Sequence, residues 1–347
     1  MRPSPPRREA HLFSKAAQRA LRLPLIAGLF CLIATAGAAA DTRSEGAALV
    51  SAVVRLTAEV PPDARTAAGL GTRRDGNGVV IDDSGLILTI GYLILEAMAV
   101  TAFTADGKPV PADILAYDYD TGFGLVRALA PLNVKPITIG DSDTVDERDP
   151  VIIAGHGGVD SAIGAMVVSR REFAGYWEYL LDNAIFTSPP HPNWGGTALI
   201  DLDGKLVGIG SLIVNDAMPA ARPIPGNMFV PINLLKPVFA DLLETGRASG
   251  PQRPWLGIFT AEQAGDVVVT RVAPDGPGAK AGLQPGDRVI GVGAKAVASM
   301  ADFFRKIWDV GPAGSGIPVN VIRDGQPQSI VVASGNRYDY LKLKPSY

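Results

Sequence analysis

Val79-Val80-Ile81-Asp82-Asp83-Ser84-Gly85-Leu86-Ile87-Leu88 is the most telling stretch of this 347-residue chain. Two runs of β-forming residues flank a polar turn that closes on glycine, which is the composition of a β-hairpin. The same pattern recurs on both sides of it. Thr101-Ala102-Phe103 leads into the turn Ala105-Asp106-Gly107-Lys108, and Ala198-Leu199-Ile200 runs through Asp201-Leu202-Asp203-Gly204 into Leu206-Val207-Gly208-Ile209. Short apolar runs at this spacing, from about Ala47 to Ile213, predict an all-β barrel or sandwich. The segment is long enough for two small barrels, dividing near Asp141–Asp149. With 39 glycines, 28 prolines and only 7% aromatics, the composition favours short strands and turns over long helices.

After the strands the pattern changes. Leu234, Leu235, Val238, Phe239, Leu242 and Leu243 recur at three and four residues, which predicts one amphipathic helix over Pro231–Leu243. Thr245–Arg253 is polar, with Gly and Pro, and reads as a linker. A second unit of mixed α and β opens at Pro254 with Trp255-Leu256-Gly257-Ile258. It continues through the strand-like Val267-Val268-Val269 and a short helix stopped at Gly282. A second amphipathic helix follows over Met300–Val310, then a hairpin turning at Asp324-Gly325-Gln326.

The N-terminus differs from both units. Arg2, Arg7, Arg8, Lys15, Arg19 and Arg22 precede an uncharged run, Leu23–Ala40, that ends in Ala38-Ala39-Ala40. A basic stretch, an apolar stretch and a small-residue site describe an export signal. An uncleaved anchor is the other reading, since the run is near the lower limit for a membrane span. With the signal removed, six basic residues and the single acid Glu9 leave, and the net charge moves from −3 to −8. No basic stripe remains, so nothing points to nucleic acid. The single cysteine, Cys31, lies inside the signal, so the exported chain has neither a disulfide nor a thiol nucleophile.

Several pieces, in this order, resemble the HtrA/Deg family. They are Gly76-Asn77-Gly78-Val79-Val80-Ile81 with Gly85-Leu86-Ile87-Leu88-Thr89, then Ile139-Gly140-Asp141-Ser142-Asp143, then Asp201-Leu202-Asp203-Gly204-Lys205. Val230-Pro231-Ile232-Asn233 and Trp255-Leu256-Gly257-Ile258 follow, and Gly278-Ala279-Lys280-Ala281-Gly282-Leu283-Gln284-Pro285-Gly286-Asp287 is the strongest of them. The resemblance implies a mainly β chain: a chymotrypsin-like double six-stranded β-barrel followed by one mixed α/β PDZ domain. It sets the expected boundaries at 1–40 for the signal, 41–245 for the protease-like barrels and 246–253 for the linker. The PDZ domain follows at 254–336, and a C-terminal tail at 337–347.

Serine proteolysis requires a hydroxyl, an imidazole to take its proton, a carboxylate to orient the imidazole, and amide donors for the oxyanion. In the family the histidine and aspartate come from the first barrel. Between Asp41 and Gly155 this chain has no histidine. The family's Leu-Thr-x-x-His-Val is matched by Leu88-Thr89-Ile90-Gly91-Tyr92-Leu93, which puts Tyr92 at the histidine position. Thr-Asp-Leu-Ala is matched by Thr121-Gly122-Phe123-Gly124, with Gly122 in place of the aspartate. The nucleophile motif is matched by His191-Pro192-Asn193-Trp194-Gly195-Gly196-Thr197, with Gly195 in place of the serine, or Trp194 if the frame is shifted by one. Asn193 falls at the oxyanion-loop glycine in the ungapped frame, and Pro192, which has no N–H to donate, in the shifted one. The resemblance thus implies a protease homologue without an intact triad.

The remaining candidates are few. His191 beside Ser188 or Thr197 offers a rebuilt dyad, hence an active serine-type endopeptidase with a non-standard site; the competing reading is a surface-loop histidine. His156 lies in a glycine-rich loop. Two separated histidines and no cysteine give no metal cluster, and no cofactor is expected. Asp118-Tyr119-Asp120 reads as a solvated turn, and Tyr176-Trp177-Glu178-Tyr179 as an aromatic group that packs the core or lines a peptide cleft. In the PDZ-type unit, the resemblance makes Trp255, Leu256, Gly257 and Ile258 the loop whose amides grip a C-terminal carboxylate while the peptide adds as a strand. The partners implied are C-terminal or extended peptides of envelope proteins. A homotrimer of this chain, or a mixed assembly with an active relative, is the other partnership the resemblance allows. The expected place is the periplasm or outside the cell, or the inner membrane if the signal is retained.

Overall fold

The computed structural model describes residues 46–218 and 223–343. The expected export signal lies outside the described residues, as do 344–347. Among the described residues no helix is long and apolar enough to cross a membrane.

Six strands close a first barrel: β1 (Val53–Glu59), β2 (Arg73–Val80), β3 (Leu86–Ile90), β4 (Ala99–Phe103), β5 (Pro109–Tyr117) and β6 (Phe123–Ala128). Their order around it is β1-β2-β3-β6-β5-β4. The hairpin that joins β2 to β3 is held by Asp82, whose Oδ1 accepts from the N–H of Ser84 and of Leu86, both at 2.9 Å. A short acidic side chain in a turn satisfies amides the ladder cannot reach, which is why Asp recurs in these turns. β3 is buried along its whole length, as a strand covered on both faces must be.

A second closed barrel follows: β7 (Pro150–Ala154), β8 (Ala162–Gly175), β9 (Tyr179–Ser188), β10 (Ala198–Ile200), β11 (Leu206–Met218) and β12 (Ile224–Pro231). The order is β10-β11-β12-β9-β8-β7. Phe123 of the first barrel and Phe186 and Phe229 of the second are fully buried, each contributing roughly 2–3 kcal/mol of transfer free energy. β8 and β9 form a long hairpin that projects beyond the barrel and ends at Tyr176–Glu178.

The helix expected over Pro231–Leu243 is shorter. Ile232–Leu234 make a 3-10 turn, and the α-helix covers only Phe239–Thr245. Pro237 explains this: it has no N–H to donate, and its ring clashes with the carbonyl four residues back in a continuous helix.

The third unit is a sheet of β13 (Ile258–Gln263), β14 (Asp266–Val272), β15 (Arg288–Val292), β16 (Lys295–Ala296), β17 (Gly316–Arg323) and β18 (Gln326–Ala333). It is ordered β13-β14-β15-β17-β18, with β16 on β15. The short Pro277–Ala281 helix stops at Gly282, which adopts φ +89°, a left-handed cap that suits glycine. The helix Met300–Trp308 starts on Ser299, whose hydroxyl accepts from the Asp302 N–H at 3.1 Å. It buries Ala301, Phe303, Phe304 and Ile307 against the sheet. Asp287 is buried and held by Arg323, with both oxygens 2.7 Å from the guanidinium. The mainly β architecture, two six-stranded barrels and one mixed α/β unit, is the one the sequence predicts.

Of the stretch expected as a C-terminal tail, Arg337–Tyr340 form a helical turn that packs on the first barrel. Tyr338 Oη donates to the Tyr117 carbonyl at 2.7 Å, and Lys342 N donates to Glu96 Oε1 at 2.7 Å. This contact corrects the reading of Asp118-Tyr119-Asp120 as a solvated turn. Asp118 and Tyr119 are buried, and the Tyr119 ring packs on Tyr338 with centroids 4.6 Å apart. The cover comes from more than 200 residues away, so no local pattern announces it.

Candidate functional site

β3 ends in a 3-10 turn, Gly91–Leu93, which carries Tyr92. Tyr92 Oη donates to the Ser211 carbonyl at 2.9 Å. Facing it is Gly195, where a Cβ would stand 2.7 Å from that same oxygen. A side chain at 195 and the phenol at 92 therefore compete for one space. Gly122 repeats the arrangement. It has φ +86°, and a Cβ there would stand 2.9 Å from Tyr179 Oη, which donates to the Thr121 carbonyl at 2.6 Å. Burial pushes the Tyr92 and Tyr179 phenols well above the usual tyrosine range, so neither serves as a base near neutral pH. Tyr92 and Gly195 are in contact, and Tyr92 and Gly122 line one cavity.

Asn77, on β2, fixes the loop that carries Gly195. Its Nδ2 donates to the carbonyls of Asn193 (2.8 Å) and Gly195 (2.9 Å). Its Oδ1 accepts from His156, both from the backbone N–H at 2.8 Å and from ring Nδ1 at 2.7 Å. His156 is thus turned to Asn77. Burial and the nearby Arg55 charge lower its pKa.

His191 is buried, at 2% exposure, which corrects the surface-loop reading. It is locked from both sides: its N–H donates to Asn227 Oδ1 at 2.6 Å, and Asn227 Nδ2 donates to its carbonyl at 3.2 Å. Ring Nε2 lies 3.0 Å from the Ser161 carbonyl, so Nε2 carries the hydrogen. Ring Nδ1 accepts from the Asn193 N–H at 3.2 Å. Both ring nitrogens are therefore engaged, and the Asn193 amide, the expected oxyanion donor, points into the imidazole. The Ser188 hydroxyl donates to the Pro225 carbonyl at 3.0 Å and the Thr197 hydroxyl to the Trp194 carbonyl at 2.9 Å. Among the described residues neither hydroxyl is hydrogen-bonded to His191, and no cluster of three metal-ligating side chains exists.

The expected peptide-binding loop, Trp255-Leu256-Gly257-Ile258, has the geometry of a carboxylate cradle. Gly257 adopts φ +73°, which lets successive amides point the same way. They converge on the side chain of Glu178, from the tip of the β8–β9 hairpin. Oε2 accepts from Leu256 N at 2.9 Å; Oε1 accepts from Gly257 N at 2.7 Å and Ile258 N at 3.0 Å. Two residues earlier, the Tyr176 carbonyl accepts from Thr260 N at 2.9 Å, as a strand laid along β13 would. Glu178 is 8% exposed and has φ +59°. Burial pushes its carboxyl up to about 7, against the pull of the amides and of Arg337. Leu256 and Ile258 are buried in the core of this unit. The role of Glu178 escaped the sequence reading; its one sign was a lone carboxylate inside an aromatic group.

The aromatic neighbours of Glu178 do line a cleft. Trp177 stacks on Tyr179 (5.4 Å, 16°), and Tyr176 meets Trp177 edge-on at 4.7 Å. A cavity of about 370 Å³ runs between the barrels and the third unit, walled by Tyr92, Trp194 and Tyr179 on one side and Trp255 and Phe259 on the other. Arg65, Arg271 and Arg337 also border it.

Comparison with known proteins agrees with this architecture. Residues 76–209 match the family of trypsin-like peptidase domains, and residues 254–333 match PDZ domains. The chain is 26% identical over 271 residues to the periplasmic serine endoprotease DegP of Escherichia coli strain K12, covering 74% of this chain and 56% of the relative. It is 27% identical over 273 residues to the periplasmic pH-dependent serine endoprotease DegQ of the same strain, covering 74% and 58%. The chain thus spans a little over half the length of these curated relatives. Among solved structures, an HtrA-type protease AlgW with decapeptide superposes with a TM-score of 0.50 at 21% identity, covering 86% of this chain and 99% of the other; at that identity the likeness concerns the fold.

Proposed function

Because this chain belongs to the HtrA/Deg family, we propose that it is a member that binds peptides rather than cutting them, with triad positions held by Tyr92, Gly122 and Gly195. The observation that carries the binding half is the cradle: three consecutive amides, of Leu256, Gly257 and Ile258, meet one carboxylate. A group arranged to hold a side-chain carboxylate is chemically fit for the carboxylate of a chain end. The non-cutting half is supported by the cleft. Phenols fill the space at Gly195 and Gly122, and both described imidazoles are turned to other partners.

In this reading residues 1–40 export the chain to the periplasm, where the relatives it resembles work. Residues 41–245 are the barrel scaffold and 254–336 the peptide-reading unit. The ligands are C-terminal or extended segments of envelope proteins. Pairing with an active relative in a mixed assembly is a separate outcome, which size-exclusion chromatography of the exported chain mixed with such a relative would expose.

A direct test uses the exported chain and a library of fluorescent decapeptides, each made both as the free acid and as the C-terminal amide. The expected result is saturable binding of a subset of free acids that the amides lack. Equal binding of acids and amides overturns the reading, as does absence of binding of either both by this chain and by a Glu178→Ala variant whose cradle is free.

A further inference from the structure

We propose that the tip of the β8–β9 hairpin, Tyr176–Glu178, is a built-in competitor for the groove, so that an incoming chain end binds only by displacing Glu178. This rests on the reading above that the groove takes C-terminal carboxylates. What it adds is the present occupant and the rearrangement that binding demands.

The hairpin meets both requirements of such a ligand. It supplies a carboxylate to the amides of Leu256, Gly257 and Ile258, and a main-chain carbonyl to Thr260 on the edge strand β13. A chain end offers a carboxylate because the backbone stops. Glu178 offers one from its side chain, so the backbone continues into β9. The left-handed backbone at Glu178, unusual for a residue with a Cβ, turns that side chain into the cradle. The three-residue turn Tyr176–Glu178, between the paired Gly175 and Tyr179, closes on a left-handed third position, and here that position carries the carboxylate.

The tip also fastens the third unit to the barrels. Arg337 donates to the Trp177 carbonyl at 3.3 Å. At the hairpin's flank, Arg305 of the Met300–Trp308 helix pairs with Glu172 on β8 and Asp182 on β9. Displacing Glu178 therefore removes the polar contacts at the centre of this junction. It frees the Tyr176 and Trp177 rings and opens the aromatic cavity beside Tyr92 and Trp194. Ligand binding and undocking of the hairpin are two faces of one exchange.

The test compares the full exported chain with Glu178→Ala and Glu178→Gln, each first checked for an intact fold by circular dichroism. Binding of the free-acid decapeptides is measured at pH 7.5, with the amides as control. Both variants are expected to bind the free acids at least tenfold more tightly than the wild type, with the amides unchanged. Equal affinity in wild type and variants overturns the competitor while leaving the groove reading intact. Absence of binding by all three proteins overturns the groove reading. The competitor falls with it, and hydrogen exchange then judges only the docking of the hairpin. Faster exchange of the Leu256, Gly257, Ile258 and Thr260 amides in the variants supports a hairpin that holds the loop, and unchanged exchange overturns it.

Discussion

Gly195 and Tyr92 form a unit: the glycine is tolerable because a phenol fills the space beside it, and the phenol fits because the glycine has no side chain. Gly195→Ala is expected to destabilise the protein by roughly 1–3 kcal/mol, since it overpacks a fixed site. In a Tyr92→Phe background, which removes the oxygen a Cβ would strike, the cost should fall by about 1 kcal/mol or more. A double-mutant cycle in urea measures this coupling. These two residues were legible in the sequence because each sits in a recognisable local motif, Leu88–Leu93 and His191–Thr197. Glu178 was not legible for the converse reason. A local motif exposes what a residue replaces, whereas the cradle that receives Glu178 lies 78 to 80 residues further along the chain.

At the level of elements, β2 does more than complete a barrel. Asn77 is fully buried within it and bridges to the 193–196 loop and to His156. Asn77→Ala would leave several buried partners unsatisfied. It should cost about 2–4 kcal/mol in a denaturant titration and raise hydrogen exchange in residues 193–196. The Met300–Trp308 helix is a simpler case: Ser299→Ala removes its cap and should cost about 1 kcal/mol of stability by thermal melting. That helix was readable from its apolar spacing, because its stripe meets a sheet of its own unit. The stripe over Pro231–Leu243 was misleading. The apolar period persists there, but Pro237 breaks the hydrogen-bond ladder. The burial of Asp118 and Tyr119 was unreadable for a third reason, a covering helix near the far end of the chain.

For the molecule as a whole, the contact between hairpin and cradle makes ligand binding depend on pH. Glu178 titrates at about 7 when docked, against 4.5 for a free glutamate, chiefly because burial penalises its charge. The docked state therefore holds a proton that the released state gives up between those values. Its contribution is complete below about 4.5 and is lost as pH rises through about 7. The charged group facing Glu178 from the C-terminal helix is Arg337, and Arg65 and Arg271 border the same cavity; arginines keep their charge across this range. Affinity for a free-acid peptide should thus rise roughly tenfold from pH 5.5 to 8, and Glu178→Ala should flatten that dependence. An equally steep profile in the variant would place the titrating group elsewhere. The central claim, a protease scaffold that binds without cutting, meets its most direct test in a cleavage assay. Unfolded casein is incubated with stoichiometric amounts of the exported chain, and new peptide termini are counted by mass spectrometry. The account predicts none above the no-protein control, for the wild type and for His191→Ala alike. Cleavage by the wild type that disappears in His191→Ala would contradict it.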